Sequence, residues 1–389
     1  MANNKKIVAI TGIRSDYDLM SPLYSLLHED DGIDFKLVVS GAHMSPSYGY
    51  SLSQIKKDGF QILTKIESLI DADSKSSRLK SASIMLMNSI DIVREENPDV
   101  IIYAGDREDV IVGALLGGYL GIPTVHFYGG DHVQDSHIDN PVRHAASKLS
   151  TVHVVTLEEH KQRLIKMGEP NWRIHNFGSI ALDRFSCYDP MAIDVIKEEF
   201  SIVEGFDSFA LMIFHPIVEE EEMAHIYFEA ILKTLIEKRV NTFVSYPNSD
   251  PGNKSIVEVI ERYKTHPNFI FYKNLDRDVF LSVYKNADFI IGNSSSGVLE
   301  AASVPIPAIN IGARQTSRVA GINVSFCKHD SVEVEAAISR AYDPEYLEEV
   351  RSMVNPYGDG DSAERAYCFL KENDLSAHLF KNEDPLVYE

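Results

Sequence analysis

Cysteine is scarce: Cys187, Cys327 and Cys368 are the only three in 389 residues. They are scattered, odd in number and form no CxxC pair. That argues against a disulfide or zinc framework and fits a reducing cytoplasm, where the protein is expected to reside. Long hydrophobic runs are missing too. No stretch of 18 apolar residues occurs, and the start "MANNKKIVAITG" passes straight into a strand pattern. Neither a signal peptide nor a membrane span is therefore expected. Basic residues are in deficit, with 37 Lys and Arg against 58 Asp and Glu and a formal net charge of −21. The basic face of a nucleic-acid binder is excluded by that balance. In so acidic a chain, an Arg beside Gly and Ser in a loop is a local exception suited to an anion. No low-complexity tract or short-period repeat is present.

What the chain does contain is one sentence repeated: a short apolar run, a polar or Gly break, then a helical stretch. The runs of the first half are "KIVAITG" (6–12), "FKLVVSG" (35–41), "DVIIYAGD" (99–106), "PTVHFYGG" (123–130), "TVHVVTL" (151–157) and "RIHNFGS" (173–179). The pattern pauses near "YDPMAIDVIKEEFSIVEGFDS". It restarts with "FALMIFHP" (209–216), "NTFVSYPN" (241–248), "NFIFYKN" (268–274), "ADFIIGN" (287–293) and "IPAINIG" (306–312). Runs so uniformly apolar belong to parallel strands covered on both faces. The expected fold is α/β, with two Rossmann-like doubly wound domains facing a cleft. Residues 1–185 would form the first, 186–365 the second, and 366–389 a helical tail packing back on the first. The length alone favours two domains over one.

In doubly wound sheets ligands sit beyond the carboxyl ends of the strands, which selects the residues to inspect. In the first half these ends read "TGIRSDYD" with Arg14, "AGDRED" with Asp106 and Arg107, and "HFYGGDHVQDSHIDNPVRH". The last is crowded with Asp131, Asp135, Asp139, His126, His132, His137 and His144. In the second half they read "HPIVEEE" with His215, "YPNSDPG" with Asn248, "GNSSSGVLE" and "GARQTSR" with Arg314. Ser294, Ser295, Ser296 and Gly297 open a helix, where free N–H groups and hydroxyls suit a phosphate. Arg314 adds a charge-assisted bond to the same anion. Glu300 is better matched to a ribose hydroxyl than to a phosphate. The first half holds carboxylates and histidines, the equipment for moving protons.

Each feature has a plainer reading. A Ser/Gly turn is commonly a simple N-cap, "AGDRED" a capping Asp with an exposed ion pair, and "EEEEM" (219–223) a solvated helix start. The "HVQDSHIDN" spacing matches no compact zinc pattern. The functional reading gains weight because the candidates coincide at the same edge of both sheets.

The ordered set "RSDY" (14–17), "GDRED" (105–109), "GGDH…IDNPVRH" (129–144), "HP" (215–216), "PN" (247–248), "GNSSSGVLE" (292–300), "GARQ" (312–315) and "YGDG" (357–360) resembles the hydrolysing UDP-N-acetylglucosamine 2-epimerase family over nearly the whole chain. That resemblance implies the two-domain glycosyltransferase-B architecture, a UDP-linked sugar substrate, no metal or redox cofactor, and a homodimer or homotetramer. It also implies a reaction. The C2 proton is removed and UDP expelled from C1, leaving a 2-acetamidoglucal to which water adds to give free N-acetylmannosamine for sialic-acid or related nonulosonate synthesis. Arg14, Arg107, His215, Asn248, Ser294, Ser295, Gly297, Glu300 and Arg314 fall at nucleotide positions. Asp106, Asp131 and Asp139 fall at or beside the acid/base positions, and His215 is placed to protonate or hydrogen-bond the departing diphosphate.

Departures lie on the sugar side. Tyr128 stands where many relatives have Glu, Asn140 replaces the second acidic residue of a pair, and Asp18 stands where some relatives have Ser. The same chemistry on UDP- or GDP-N,N′-diacetylbacillosamine is therefore the main alternative. A non-hydrolysing epimerase fits less well with "RSDY" and "HPIVEE". A glycosyltransferase would lack the Asp-rich loop, and a nucleotide-sugar sensor would tolerate loss of Asp106 and Asp139.

Overall fold

The structure is a computed structural model and describes residues 4–48, 50–71, 75–132, 138–186, 188–217, 220–247, 252–273, 275–384 and 386–387. Asn248, Asp135, His137 and Cys187 lie outside the described residues. The chain divides into two compact units, Met1–Asp183 with Gly360–Glu389, and Arg184–Asp359.

The first unit is built on β1 (Lys5–Thr11), β2 (Ile33–Ser40), β3 (Ile62–Ile66), β4 (Val100–Ala104), β5 (Thr124–Phe127), β6 (Val152–Val155) and β7 (Ile174–Asn176). These seven strands are all parallel, in the order β3-β2-β1-β4-β5-β6-β7. The direction of winding reverses between β1 and β4, where helices Arg14–Glu29 and Glu108–Leu120 leave on opposite faces and open a crevice at the strand ends. Central strands are buried throughout: Val100–Ala104 presents no exposed residue, as β-branched and aromatic side chains meet helices on both sides.

The helix Ser362–Glu372 adds Ala363, Ala366 and Leu370 to this unit's core beside Tyr17, Leu23 and Leu27. Beyond it the chain is clasped by charge. Arg173, only 1% exposed, donates to the carbonyls of His378 and Phe380 and to the Glu383 carboxylate. Lys381 and Lys148 each reach the buried carboxylate of Glu169 at 2.6 Å, and His153 reaches it at 2.9 Å. Burial pushes Glu169 up, but these partners outweigh it and hold the carboxylate at about 2.

The second unit repeats the plan with β8 (Ala210–Ile213), β9 (Thr242–Ser245), β10 (Phe269–Tyr272), β11 (Phe289–Gly292), β12 (Ala308–Ile311) and β13 (Val324–Cys327). The six are parallel in the order β10-β9-β8-β11-β12-β13, so its switch point lies between β8 and β11. Gly292 ends β11 with φ +139, and a Cβ there would collide with the Ile213 carbonyl. Only glycine permits that approach of β11 to β8.

No helix among the described residues is long and apolar enough to cross a membrane.

Candidate active site

In the first unit the carboxylates converge on one arginine. Asp106 follows β4, and Arg143 projects from the helix Asp139–Leu149 to bind its Oδ2. Arg143 is 5% exposed, its other terminal nitrogen lies 3.9 Å from Asp131 Oδ2, and it also donates to Asn140. Asp131 Oδ1 lies 3.3 Å from His160 Nε2 and accepts the His132 amide. Asp139 opens the same helix but turns to Arg78 at 3.2 Å, and Arg78 also binds Glu108. Burial raises Asp106 above its ordinary range. Arg143 and Arg107 oppose that, while Asp139 and Asp131 add to it. The three carboxylates singled out from sequence therefore feel one another. A base with a raised pKa, oriented by a fixed guanidinium, is suited to taking a proton from a substrate.

The backbone that carries Asp106 is held by His126. This fully buried ring bonds the Gly105 carbonyl through Nε2 at 2.9 Å and Ser147 Oγ through Nδ1 at 2.9 Å. A carbonyl only accepts, so the proton sits on Nε2 and the serine hydroxyl donates to Nδ1. Burial drives the imidazole down to about 3, which keeps it neutral. His126 is thus part of the scaffold. His132 and His144 stack on each other at the edge of the site, centroids 5.8 Å apart.

Arg14 begins the helix after β1 and pairs with Asp18 at 3.3 Å on the next turn. Arg107 occupies the N-cap position of the helix Glu108–Leu120. A pocket of about 260 Å³ opens here, lined by Gly12, Ser40, Tyr48, Arg78, Arg107 and Asp109 among others.

In the second unit Asn293 is the hub. Its side chain brackets the His215 backbone, accepting from the amide at 2.8 Å and donating to the carbonyl at 2.7 Å. Its own carbonyl accepts from Arg314 at 3.4 Å and Gln315 at 3.1 Å. His215, Ser294 and Arg314, from the ends of β8, β11 and β12, are thereby drawn together. Ser294 is an N-cap, its Oγ accepting from the Ser296 amide at 3.3 Å, and Ser295 and Gly297 lie in the short helix Ser295–Leu299. Glu300 is buried, one oxygen on Arg184 at 2.5 Å and the other on the Ser296 hydroxyl. Both carboxylate oxygens are engaged inside the unit, a use that the ribose expectation did not foresee.

Reading the strand ends did not find Arg143, Arg78, Glu108, Asn293 or Arg184. Arg143 had a signal, standing one helical turn after Asp139. Arg78 and Arg184 reach their partners only through the fold.

The sequence model of the UDP-N-acetylglucosamine 2-epimerase family matches residues 25–371, most of the chain. The chain belongs to that family. As a 2-epimerase it is 34% identical to a hydrolysing UDP-N,N′-diacetylbacillosamine 2-epimerase of Legionella pneumophila, an alignment covering 96% of this chain and 98% of that one. It is 28% identical to a UDP-N-acetylglucosamine 2-epimerase of Neisseria meningitidis, covering 87% of each. Among solved structures, the N. meningitidis UDP-GlcNAc 2-epimerase bound to UDP-GlcNAc superposes with a TM-score of 0.76 at 18% identity, covering 95% of this chain and 100% of that one. The family fold is thus the two-domain α/β architecture of glycosyltransferase-B type, the class expected from sequence.

Proposed function

We propose that the chain is a hydrolysing 2-epimerase of a UDP-linked 2-acetamido sugar. The reading is carried by the Asp106–Arg143–Asp131 cluster, set beside Asp139 and held at the strand ends by His126. Asp106 takes the C2 proton, Arg143 fixes its orientation, and the C1–O bond breaks with its electron pair passing to UDP. Water then adds oxygen at C1 and a proton returns to C2, giving the free 2-epimer. The poorly acidic C2–H makes stabilisation of the leaving diphosphate decisive, and each donor aimed at such charge is worth about 3–4 kcal/mol in other systems. Arg14, Arg107, His215, Asn248, Ser294, Ser295, Gly297, Glu300 and Arg314 are assigned to the nucleotide, His215 as donor to the departing phosphate.

Two sugars fit. N,N′-diacetylbacillosamine is favoured over N-acetylglucosamine by the greater identity, over more of the chain, to the L. pneumophila enzyme. The free 2-epimer would then feed nonulosonate synthesis. Steady-state release of UDP from each donor tests this: kcat/KM should be at least about tenfold higher for the diacetylated sugar. A preference for UDP-N-acetylglucosamine would reverse the assignment of the sugar. Recovery of a 2-epimeric UDP-sugar instead of free sugar would overturn hydrolysis.

A further inference from the structure

Asp16 and Asp109 stand across the junction of β1 and β4, each in the first turn of the helix that follows its strand. Asp109 is 4% exposed. Oδ2 of each residue is buried and has no hydrogen-bond partner among the described residues. Gly12 makes room for Asp109: a Cβ at that position would lie 3.0 Å from Asp109 Cγ. Asp109 also lines the 260 Å³ pocket together with Arg78 and Arg107, both within reach of the Asp106 site.

Orphaned carboxylate oxygens in a buried site are costly, and two carboxyl groups that feel each other's charge resist ionising together. Burial is the main force raising both groups well above the usual carboxylate range. The Asp16 charge adds to this at Asp109, and the Asp106 charge adds to it at Asp16. The other groups facing the pair are Arg107, which opposes the rise, Glu108, and the buried Tyr24 hydroxyl, itself pushed up by both carboxylates. The pair is therefore biased towards holding a proton, in the neighbourhood of the Asp106 charge.

The reaction as proposed assigns no residue to one step. Inversion at C2 removes a proton from one face of the sugar and returns one to the other, so the base that took the first is badly placed to deliver the second. We propose that the Asp16–Asp109 pair is the acid that returns the proton to C2 in the hydration half-reaction. In that step the C1=C2 electron pair of the unsaturated sugar takes the proton of the pair and forms the new C2–H bond. Water bonds to C1 through oxygen and gives its second proton back to the pair, which is thereby restored. The proton taken earlier by Asp106 leaves to solvent. This inference rests on the 2-epimerase reading of the same site.

The test uses the full chain and whichever UDP-sugar the wild type turns over. First-turnover release of UDP and formation of free 2-epimer are followed separately for wild type, Asp109→Asn, Asp16→Asn and Asp109→Glu. With Asp109→Asn or Asp16→Asn, UDP release should stay within about threefold of wild type. Free 2-epimer should fall by a factor of about 100 or more, the usual worth of an acid, and the unsaturated 2-acetamido sugar should appear in solution. Asp109→Glu should recover part of the epimer. A merely structural role would lower both half-reactions together and leave no unsaturated product. The proposal is overturned if the Asn variants form epimer at the wild-type rate, or lose both half-reactions equally while melting no lower than wild type. If the wild type itself releases no UDP from either donor, the 2-epimerase reading of the site fails, and this proposal with it.

Discussion

At Asp106 burial and a guanidinium pull in opposite directions, and the proposed base depends on the balance. Asp106→Asn should leave UDP affinity within about twofold of wild type while turnover falls by about 10³ or more, the scale on which a general base is lost; single-turnover kinetics with a UDP titration would show it. Arg314→Ala should do the reverse. It should weaken UDP by about 1.5–3 kcal/mol, the worth of a charged hydrogen bond, with single-turnover chemistry at saturation nearly intact. Arg143→Met removes the opposing charge and should move Asp106 further up. Because the base acts ionised, the rising limb of kcat/KM against pH should shift to higher pH. An unmoved limb would assign the limb to another group. Asp109 makes a stability statement as well. A carboxyl raised by burial binds its proton more tightly folded than unfolded, so the folded state loses stability as pH rises above the ordinary carboxylate range of about 4. Asp109→Asn removes that penalty and should melt higher than wild type at pH 8, a gain opposed to its loss of activity.

Among the elements, the strand ends decide everything, and the tightest is the turn after β11. Gly292→Ala places a methyl against the Ile213 carbonyl at φ +139. Backbone strain of about 1–3 kcal/mol then adds to the clash. Chemical denaturation should show a loss of at least about 3 kcal/mol; an unchanged midpoint would mean that β11 and β8 separate at little cost. The elements also show which parts of the fold the sequence announces. Every apolar run corresponds to a strand, because parallel strands covered on both faces are mostly apolar. Two strands have no such run: β3, "ILTKI", and β13, "VSFC". Both are sheet edges, half-exposed along their length, so Thr64, Lys65 and Ser325 dilute the signal. The proposed site was legible where its candidates come soon after a strand end, as at Asp106, Asp131 and Arg314. It was illegible where two elements distant in sequence supply one group each. Asp16 and Asp109 become neighbours because β1 and β4 pair at the switch point, and Arg78 reaches Asp139 from a helix 61 residues away in sequence.

For the whole molecule, two units with separate hydrophobic cores predict two calorimetric transitions. If the nucleotide is held by the Ser294 and Arg314 ends, UDP at about 100 times its Kd adds about 2.7 kcal/mol to the unit it binds. That should raise the transition of residues 184–359 by about 5–10 °C. A shift confined to the other transition would place the nucleotide on the first unit's arginines instead. The net charge of −21 names no partner by itself, and the family assignment rests on the family sequence model over residues 25–371 and the 34% identity to the L. pneumophila enzyme. The central claim, proton exchange at C2 coupled to loss of UDP, is tested most directly by a proton NMR time course in D₂O with a UDP-linked 2-acetamido sugar. The account predicts release of UDP together with free 2-epimer carrying deuterium at C2 from the first turnover. Free sugar of unchanged configuration that retains its C2 proton would mean simple hydrolysis, and would contradict it.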